Sequence, residues 1–307
     1  MRTILKKTII IILSLTLVWL ILINSHTVRG NVSLAFDLWI KRAMPALFPM
    51  FVIGNILISF GMANFFHKIF NRLSSFLFRV NGTSFYVILM SLVSGTPSNA
   101  VLIKELYEQR LLTTKEANKI LAFTFFANPL FIYSFLLLIL EAHQSLILKV
   151  ILTCYLGNIL IGVLFRNSYK TEMSDIPLNR ESNFDFSASF TEAIKKSMNV
   201  MIIILGVITF FIIISSLFLD IFNLSPILKS LVQGTLEFVQ GLNSLTYLNI
   251  DLKTKAILSG IFISFGSLSI HTQIKSILVD TPISYKLFLL ARIIHCVITA
   301  LVLWLII

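Results

Sequence analysis

The chain has 307 residues, of which 57% are hydrophobic and only 13% charged. A soluble domain carries about 25% charged residues, so this composition excludes an ordinary soluble protein and predicts an all-α polytopic membrane protein. The net charge of +11 does not indicate nucleic-acid binding, because most Lys and Arg residues lie at the ends of apolar blocks and none forms a separate basic domain.

The N-terminal region begins with a basic segment and a long apolar run, residues 8–23, without a small-residue cleavage site after it. This pattern predicts an uncleaved transmembrane helix within residues 1–30, with its N-terminus in the cytoplasm. A weakly amphipathic segment, 28–42, is expected on the outer surface. An apolar block at 46–60 and a strongly amphipathic segment at 63–80 follow, and the latter is typical of a membrane-surface helix.

The apolar segment 84–103 is interrupted by Ser94–Asn99, and the apolar segment 120–140 is interrupted by Asn128 and Pro129. Glycine and proline disfavour a continuous helix. The span 146–165 completes a first repeat over residues 31–165. A polar segment, 166–197, is expected to form a cytoplasmic connecting loop.

A second repeat, residues 198–307, follows the same plan. The span 198–219 precedes the segment 225–248, which is interrupted around Gln233, Gly234 and Thr235 and again by Glu237 and later polar residues. The segment 256–274 is interrupted at Gly266, and residues 287–307 form the last predicted helix. The same step of 33 positions leads from Gly95 to Asn128 and from Gly234 to Ser267, which favours an internal duplication.

Basic residues predict how the repeats are oriented. If the two glycine-containing segments are hairpins that enter and leave on one side, a large set of basic residues lies in the cytoplasm: Lys68, Arg72, Arg79, Lys104, Arg110, Lys115, Arg166, Lys170, Arg180, Lys195 and Lys196. Three crossings then separate the starts of the repeats, so the repeats are inverted. We therefore expect two inverted repeats, each with a re-entrant or broken hairpin and a discontinuous helix, as in secondary transporters.

Polar residues at the four interruptions are the candidate substrate-binding groups: Ser94, Gly95, Thr96, Ser98, Asn99, Asn128, Glu237, Gln240, Asn243, Ser267, His271 and Gln273. Polar groups at membrane depth are costly and usually functional. The alternatives are that the Ser and Thr residues only cap the breaks, that Asn128 marks a simple proline kink, and that His271 lies at the interface.

Glu237 could coordinate Na⁺ or H⁺, or bind a substrate hydroxyl group. The alternative is that it lies near the interface or pairs with a basic residue such as Arg292, which itself either faces the cavity or extends to the membrane surface. We find no nucleotide-binding loop, catalytic triad or metal constellation in the sequence. The chain is therefore not expected to be an enzyme or to need a cofactor beyond a coupling Na⁺ or H⁺.

Several of these motifs resemble the sporulation integral membrane protein YlbJ family. They are the SGTPSNA segment that begins at Ser94, the ANPLF segment around Asn128, the YLGN segment that begins at Tyr155, the G-x-x-E-x-x-x-G pattern around Glu237 and the FGSLSIHTQ segment that ends at Gln273. The resemblance implies membership of the nucleoside-recognition, or Gate, domain group, which is similar to concentrative nucleoside transporters. It also implies solute transport, and in spore formers the movement of dipicolinic acid.

Three residues depart from the family pattern. Thr96 and Asn99 replace the usual tyrosine and glycine, and Ser267 replaces a glycine, which allows a different solute.

The leading hypothesis is therefore a transporter that moves a small anionic solute across the cell membrane by alternating access. Its partners are the lipid bilayer and the solute, not nucleic acid, and a homo-oligomer is left open. The alternative is a non-transporting scaffold of the sporulation envelope, which predicts a midplane packed with apolar side chains and no polar cavity between the breaks.

Overall fold

The computed structural model describes residues 2–169, 186–222 and 224–307, and the regular elements in these ranges are helical. The first nine helices are α1 Arg2–Ile23, α2 Ser25–Leu38, α3 Met44–Ser59, α4 Met62–Phe78, α5 Thr83–Ser94, α6 Ser98–Glu108, α7 Thr114–Phe123, α8 Pro129–Ile139 and α9 Gln144–Leu164. The remaining six are α10 Phe186–Ile221, α11 Pro226–Leu236, α12 Phe238–Thr246, α13 Leu252–Phe265, α14 Ser267–Ile277 and α15 Tyr285–Ile306.

Four helical segments are long and apolar enough to cross a membrane: Gln144–Asn167, Phe186–Ile221, Leu252–Ile277 and Tyr285–Ile306. A membrane core needs roughly 20 apolar residues in a helix. Two bent pairs raise the number to as many as six, namely α1 with α2, bent by 95°, and α3 with α4, bent by 80°. This confirms an all-α polytopic membrane protein.

The N-terminal helices and the connecting segment differ from expectation in two places. Helix α10 begins at Phe186, so the last part of the segment 166–197 is helical rather than a loop, while residues 170–185 lie outside the described residues. Helix α2 is not only a surface element, because it packs on α10. Ala35 of α2 is fully buried beside Met201, and the Trp39 indole Nε1 donates to the Met201 carbonyl at 2.9 Å.

All four predicted interruptions exist. Helices α5 and α6 are separated at Gly95–Pro97, α7 and α8 at 124–128, and α13 and α14 at Gly266. The second hairpin breaks at Glu237, within the predicted region Gln233–Gly241, whereas Gln233–Thr235 at the start of that region belongs to α11. Gly234 is helical, and its role is close packing, since a Cβ added at Gly241 would lie 2.2 Å from the Gly234 Cα.

Both hairpins enter and leave on one side. The Asn81 amide Nδ2 before α5 donates to the Leu111 carbonyl after α6 at 3.1 Å, so the two ends of the first hairpin lie together. In the second hairpin, the Ser230 and Ser244 hydroxyl oxygens of α11 and α12 are 2.6 Å apart. These contacts establish two re-entrant hairpins.

Hydrogen bonds to α15 show that the repeats are inverted. The Ser284 amide at the start of α15 donates to Asn118 Oδ1 of α7 at 2.7 Å, whereas Lys253 Nζ of α13 donates to the Trp304 carbonyl near the end of α15 at 3.0 Å. The corresponding helices α7 and α13 therefore begin at opposite ends of α15. Lys149 Nζ of α9 also donates to the Ile306 carbonyl at 2.7 Å, so α9 and its counterpart α15 are antiparallel.

Candidate functional site

A small cavity of about 70 Å³ lies where three of the breaks meet. Its wall combines break residues, one side of α14, and apolar residues of α10 and of the region around the start of α3. The lining residues are Ala43, Leu47, Gly95, Thr96, Pro97, Ala127, Asn128, Phe131, Ile204, Ile208, Glu237, Phe238, Val239, Ile270 and Gln273.

The first break places Gly95 and Thr96 on the cavity wall. Gly95 has φ +80°, and a Cβ at this position would lie 2.7 Å from the Asn128 amide nitrogen, so a larger residue would push the first two breaks apart. The Ser94 hydroxyl donates to the Met90 carbonyl at 2.6 Å, and the Ser98 hydroxyl donates to the Gly95 carbonyl. Both serines are buried and hold the backbone of the break.

The second break is held by Asn128, which faces the cavity. Its Oδ1 accepts from the Phe131 amide at 2.9 Å and so caps α8, while its Nδ2 donates to the Val93 carbonyl of α5 at 2.7 Å. Helix α9 binds the carbonyls that the break exposes. Asn158 Nδ2 donates to the Phe125 carbonyl at 2.5 Å, and Tyr155 Oη donates to the Ala127 carbonyl at 2.6 Å.

The third break consists of Glu237, whose side chain is only 1% exposed. Its carboxylate accepts from the Gln240 amide at 2.7 Å, and its own amide donates to the Gln233 carbonyl at 2.7 Å. Glu237 is the titratable side chain of the cavity lining. The pairing with a basic residue that the sequence left open is not formed, because no basic group of the described residues lies within 4.0 Å of its carboxylate.

Near the fourth break, the cavity is lined by residues of α14 and not by the residues of the break itself. Gln273 lines the cavity, and its Nε2 donates to the Ser269 hydroxyl at 3.3 Å. Ser267 at the break is fully buried with an unpartnered hydroxyl. His271 does not line the cavity, and its ring nitrogens bond to the Tyr285 hydroxyl and to the Phe265 carbonyl.

The structure therefore brings five of the candidate residues to one cavity: Gly95, Thr96, Asn128, Glu237 and Gln273. The other candidates lie outside its lining: Ser94, Ser98, Asn99, Gln240, Asn243, Ser267 and His271. Asn99 is fully buried, and neither atom of its amide group has a hydrogen-bond partner. Asn243 is exposed on α12.

Three helices begin at the wall of the cavity. Pro97, Asn128 and Glu237 are the residues that precede α6, α8 and α12, and all three line the cavity. Each helix start carries about half a positive charge. Helices α5 and α11 end nearby, but their Val93 and Gln233 carbonyls already accept hydrogen bonds. Three helix starts thus face the cavity, and those of α8 and α12 are capped by the side chains of Asn128 and Glu237.

Two features of the site were missed by sequence reasoning. The pattern of breaks carries no signal that the α10 residues Ile204 and Ile208 would close one wall. Arg292 does not extend to the membrane surface, the option favoured from the sequence, but is 0% exposed in the middle of α15. His295, three residues later in the same apolar helix, was a signal that a polar group lies inside, because residues three apart share a helix face.

The chain is similar to the sporulation integral membrane protein YlbJ of Bacillus subtilis (strain 168). The two are 25% identical over 303 residues, which cover 86% of this chain and 74% of the relative. No protein-family model matches the chain, and no solved structure matches it. The similarity confirms the resemblance to YlbJ that the motifs indicated.

Proposed function

We propose that the chain is a membrane transporter that moves a small anionic solute by alternating access. The observation that carries the proposal is the meeting of three helix N-termini at one cavity between two inverted repeats. Discontinuous helices that point their positive ends at an anionic group near the repeat interface are the usual binding device of secondary transporters.

The cavity suits a solute that is both aromatic and anionic. Its volume of about 70 Å³ is below the usual range for small-molecule sites, so binding of such a solute requires the cavity to widen. Phe131, Phe238, Ile204 and Ile208 offer an apolar surface for a planar ring. A dipicolinate-like dianion combines such a ring with two carboxylates, and the relative is a sporulation protein by name. We therefore propose a solute of this class, with a role in sporulation in hosts that form spores.

Glu237 is proposed as the coupling group. An ionised carboxylate in the cavity wall repels an anion in a medium of low dielectric constant. A proton or Na⁺ on Glu237 removes that repulsion, so the solute and the cation bind together. In this proposal the protein is a transporter and not an enzyme, and it uses no cofactor beyond this ion.

We propose that the N-terminus and the opening of the first hairpin face the cytoplasm. Lys119 Nζ of α7 donates to the carbonyls of Arg79 and Arg166, at 3.3 and 2.9 Å, so the ends of α4 and α9 lie together. Lys196 of α10 bonds both carboxylate oxygens of Glu105 at 3.0 Å at the same end. This end is rich in basic residues, which favours the cytoplasm. Labelling of single cysteines from either side of the membrane would test the assignment.

Uptake by the purified protein in proteoliposomes tests the proposal, with dipicolinate, nucleosides and simple carboxylates as probes. We expect saturable uptake of dipicolinate or another carboxylate, and a loss of most of it in Asn128→Ala, which alters the cavity wall. Asn243→Ala is the matched control, because Asn243 is exposed on α12 and does not line the cavity. Folded protein that neither binds nor takes up any of these probes would instead favour a scaffold.

A further inference from the structure

Arg292 is a buried cation that lies where the first halves of both discontinuous helices end. Its Nη2 donates to the Ala122 carbonyl in the last turn of α7 at 2.6 Å, and its Nη1 is 3.4 Å from the Ser264 carbonyl in the last turn of α13. The rings of Phe125 and Phe288 lie 4.7 and 5.6 Å from the guanidinium carbon. One side chain of α15 thus contacts a break in each repeat.

The geometry of α15 explains how two such ends meet at one residue. Helix α7 begins beside Ser284, at the start of α15, whereas α13 begins beside Trp304, near its end. The two helices therefore approach Arg292 from opposite directions, with their C-terminal ends towards it. Inverted repeats place equivalent helix ends face to face in this way.

The two helix ends also supply the counter-charge. Among the described residues, no carboxylate lies within 4.0 Å of Arg292, and an unpaired cation at membrane depth is costly. Each helix C-terminus carries about −0.5 of an elementary charge, so the pair balances one guanidinium. His295 Nδ1 accepts from Nη1 at 2.9 Å and adds a third acceptor.

We propose that Arg292 is a positioning residue that holds the two breaks at a fixed separation and thereby sets Asn128 and Gln273 in the lining of the cavity. The chain leads from the end of α7 through the second break to Asn128, and from the end of α13 into α14, which carries Gln273. Arg292 itself does not line the cavity. The importance of Arg292 for solute binding rests on the proposed function. Its hydrogen bonds to the helix ends at the two breaks do not depend on that function.

Hydrogen exchange of the unliganded protein tests directly whether Arg292 keeps the two breaks in place. In Arg292→Gln, amides of both breaks, such as those of Thr124 and Gly266, should exchange about tenfold faster or more, as expected for loss of a hydrogen bond to a charged group. Lys286→Gln is the matched control, because it removes one positive charge from an exposed position of the same helix. Unchanged exchange at both breaks, or faster exchange at only one, would overturn the proposal.

A second variant covers the case in which Arg292→Gln does not fold. Arg292→Lys keeps the charge, but one ammonium group lacks the planar fork that reaches two carbonyls. It should accelerate exchange at one break and leave the other near its wild-type rate. Wild-type exchange at both breaks in a folded Arg292→Lys would also overturn the proposal.

Dipicolinate binding, measured by calorimetry, separates positioning from general stability. If Arg292 acts through Asn128 and Gln273, then Asn128→Ala and Gln273→Ala should each weaken binding less in Arg292→Gln than in the wild type. Additive effects would contradict the positioning role. If wild-type protein binds none of the carboxylate probes, the proposed function fails, while the exchange measurements still decide whether Arg292 holds the breaks.

Discussion

Replacement of Glu237 by glutamine should make the affinity for the anion independent of pH and of Na⁺. Glu237 is 1% exposed and carries the carboxylate of the cavity lining. In the proposed coupling, an anion enters the wild-type cavity favourably only when a proton or Na⁺ neutralises this group. Glutamine has nearly the same shape and no charge, so Glu237→Gln resembles the neutralised state at all pH values.

The size of the effect follows from the cavity. A solute carboxylate in the cavity at about 5 Å from the Glu237 carboxylate would interact with it by about 3 kcal/mol at an effective dielectric constant of about 20. That energy is about a 100-fold change in the dissociation constant. We expect the wild type to bind the anion up to about 100-fold more weakly at high pH without Na⁺ than Glu237→Gln does.

Calorimetry in sodium and potassium buffers would measure this difference, over a pH range in which the carboxylates of the solute stay ionised. The wild-type dissociation constant should rise with pH, or with removal of Na⁺, whereas that of Glu237→Gln should stay constant at the lower value. Gln273→Glu is the reverse control, because it adds a second carboxylate to the cavity lining and should weaken binding. Equal anion affinities of the wild type and Glu237→Gln under all these conditions would refute the reasoning.

Three further predictions concern the elements that build the site. Gly241→Ala should destabilise the second hairpin by about 1–3 kcal/mol and lower the thermal midpoint in detergent, because its Cβ would lie 2.2 Å from the Gly234 Cα; Gly206→Ala, with nothing within 4 Å, should not. Gly95→Ala should weaken carboxylate binding, measured by calorimetry, because its Cβ would lie 2.7 Å from the Asn128 amide nitrogen. Glu116 forms a capping box with Thr113 at the start of α7, so Glu116→Ala should lower the midpoint by removing a cap worth about 1 kcal/mol. Unchanged midpoints in detergent for Gly241→Ala and Glu116→Ala would contradict the packing described here.

The membrane class and the four breaks could be predicted from the sequence, because long apolar runs and residues such as Gly95, Pro129 and Gly266 act locally. The N-terminal threonine cap of α7 was also predictable, since Thr113 and Glu116 form both hydrogen bonds of a capping box. The inversion of the repeats could also be predicted. The positions of the basic residues constrain the side of the membrane on which each hairpin opens, and three membrane crossings then separate the starts of the two repeats.

The remaining features depend on tertiary packing. The second hairpin breaks at Glu237 and not near Gly234, because Gly234 is needed where α11 and α12 touch. Pattern matching cannot distinguish a glycine that interrupts a helix from one that allows close contact. Arg292 was misjudged for a related reason, since its acceptors are backbone carbonyls of Ala122 and Ser264, and no side chain in the sequence identifies them.

The central claim is that the breaks of two inverted repeats form one binding site for an anionic solute. An experimental structure of the protein with dipicolinate or another carboxylate probe that it takes up would test this most directly. We expect the solute in the cavity between Thr96, Asn128, Glu237 and Gln273, with its carboxylates towards the starts of α6, α8 or α12. A solute bound outside this cavity, or a midplane closed by apolar side chains, would contradict the claim.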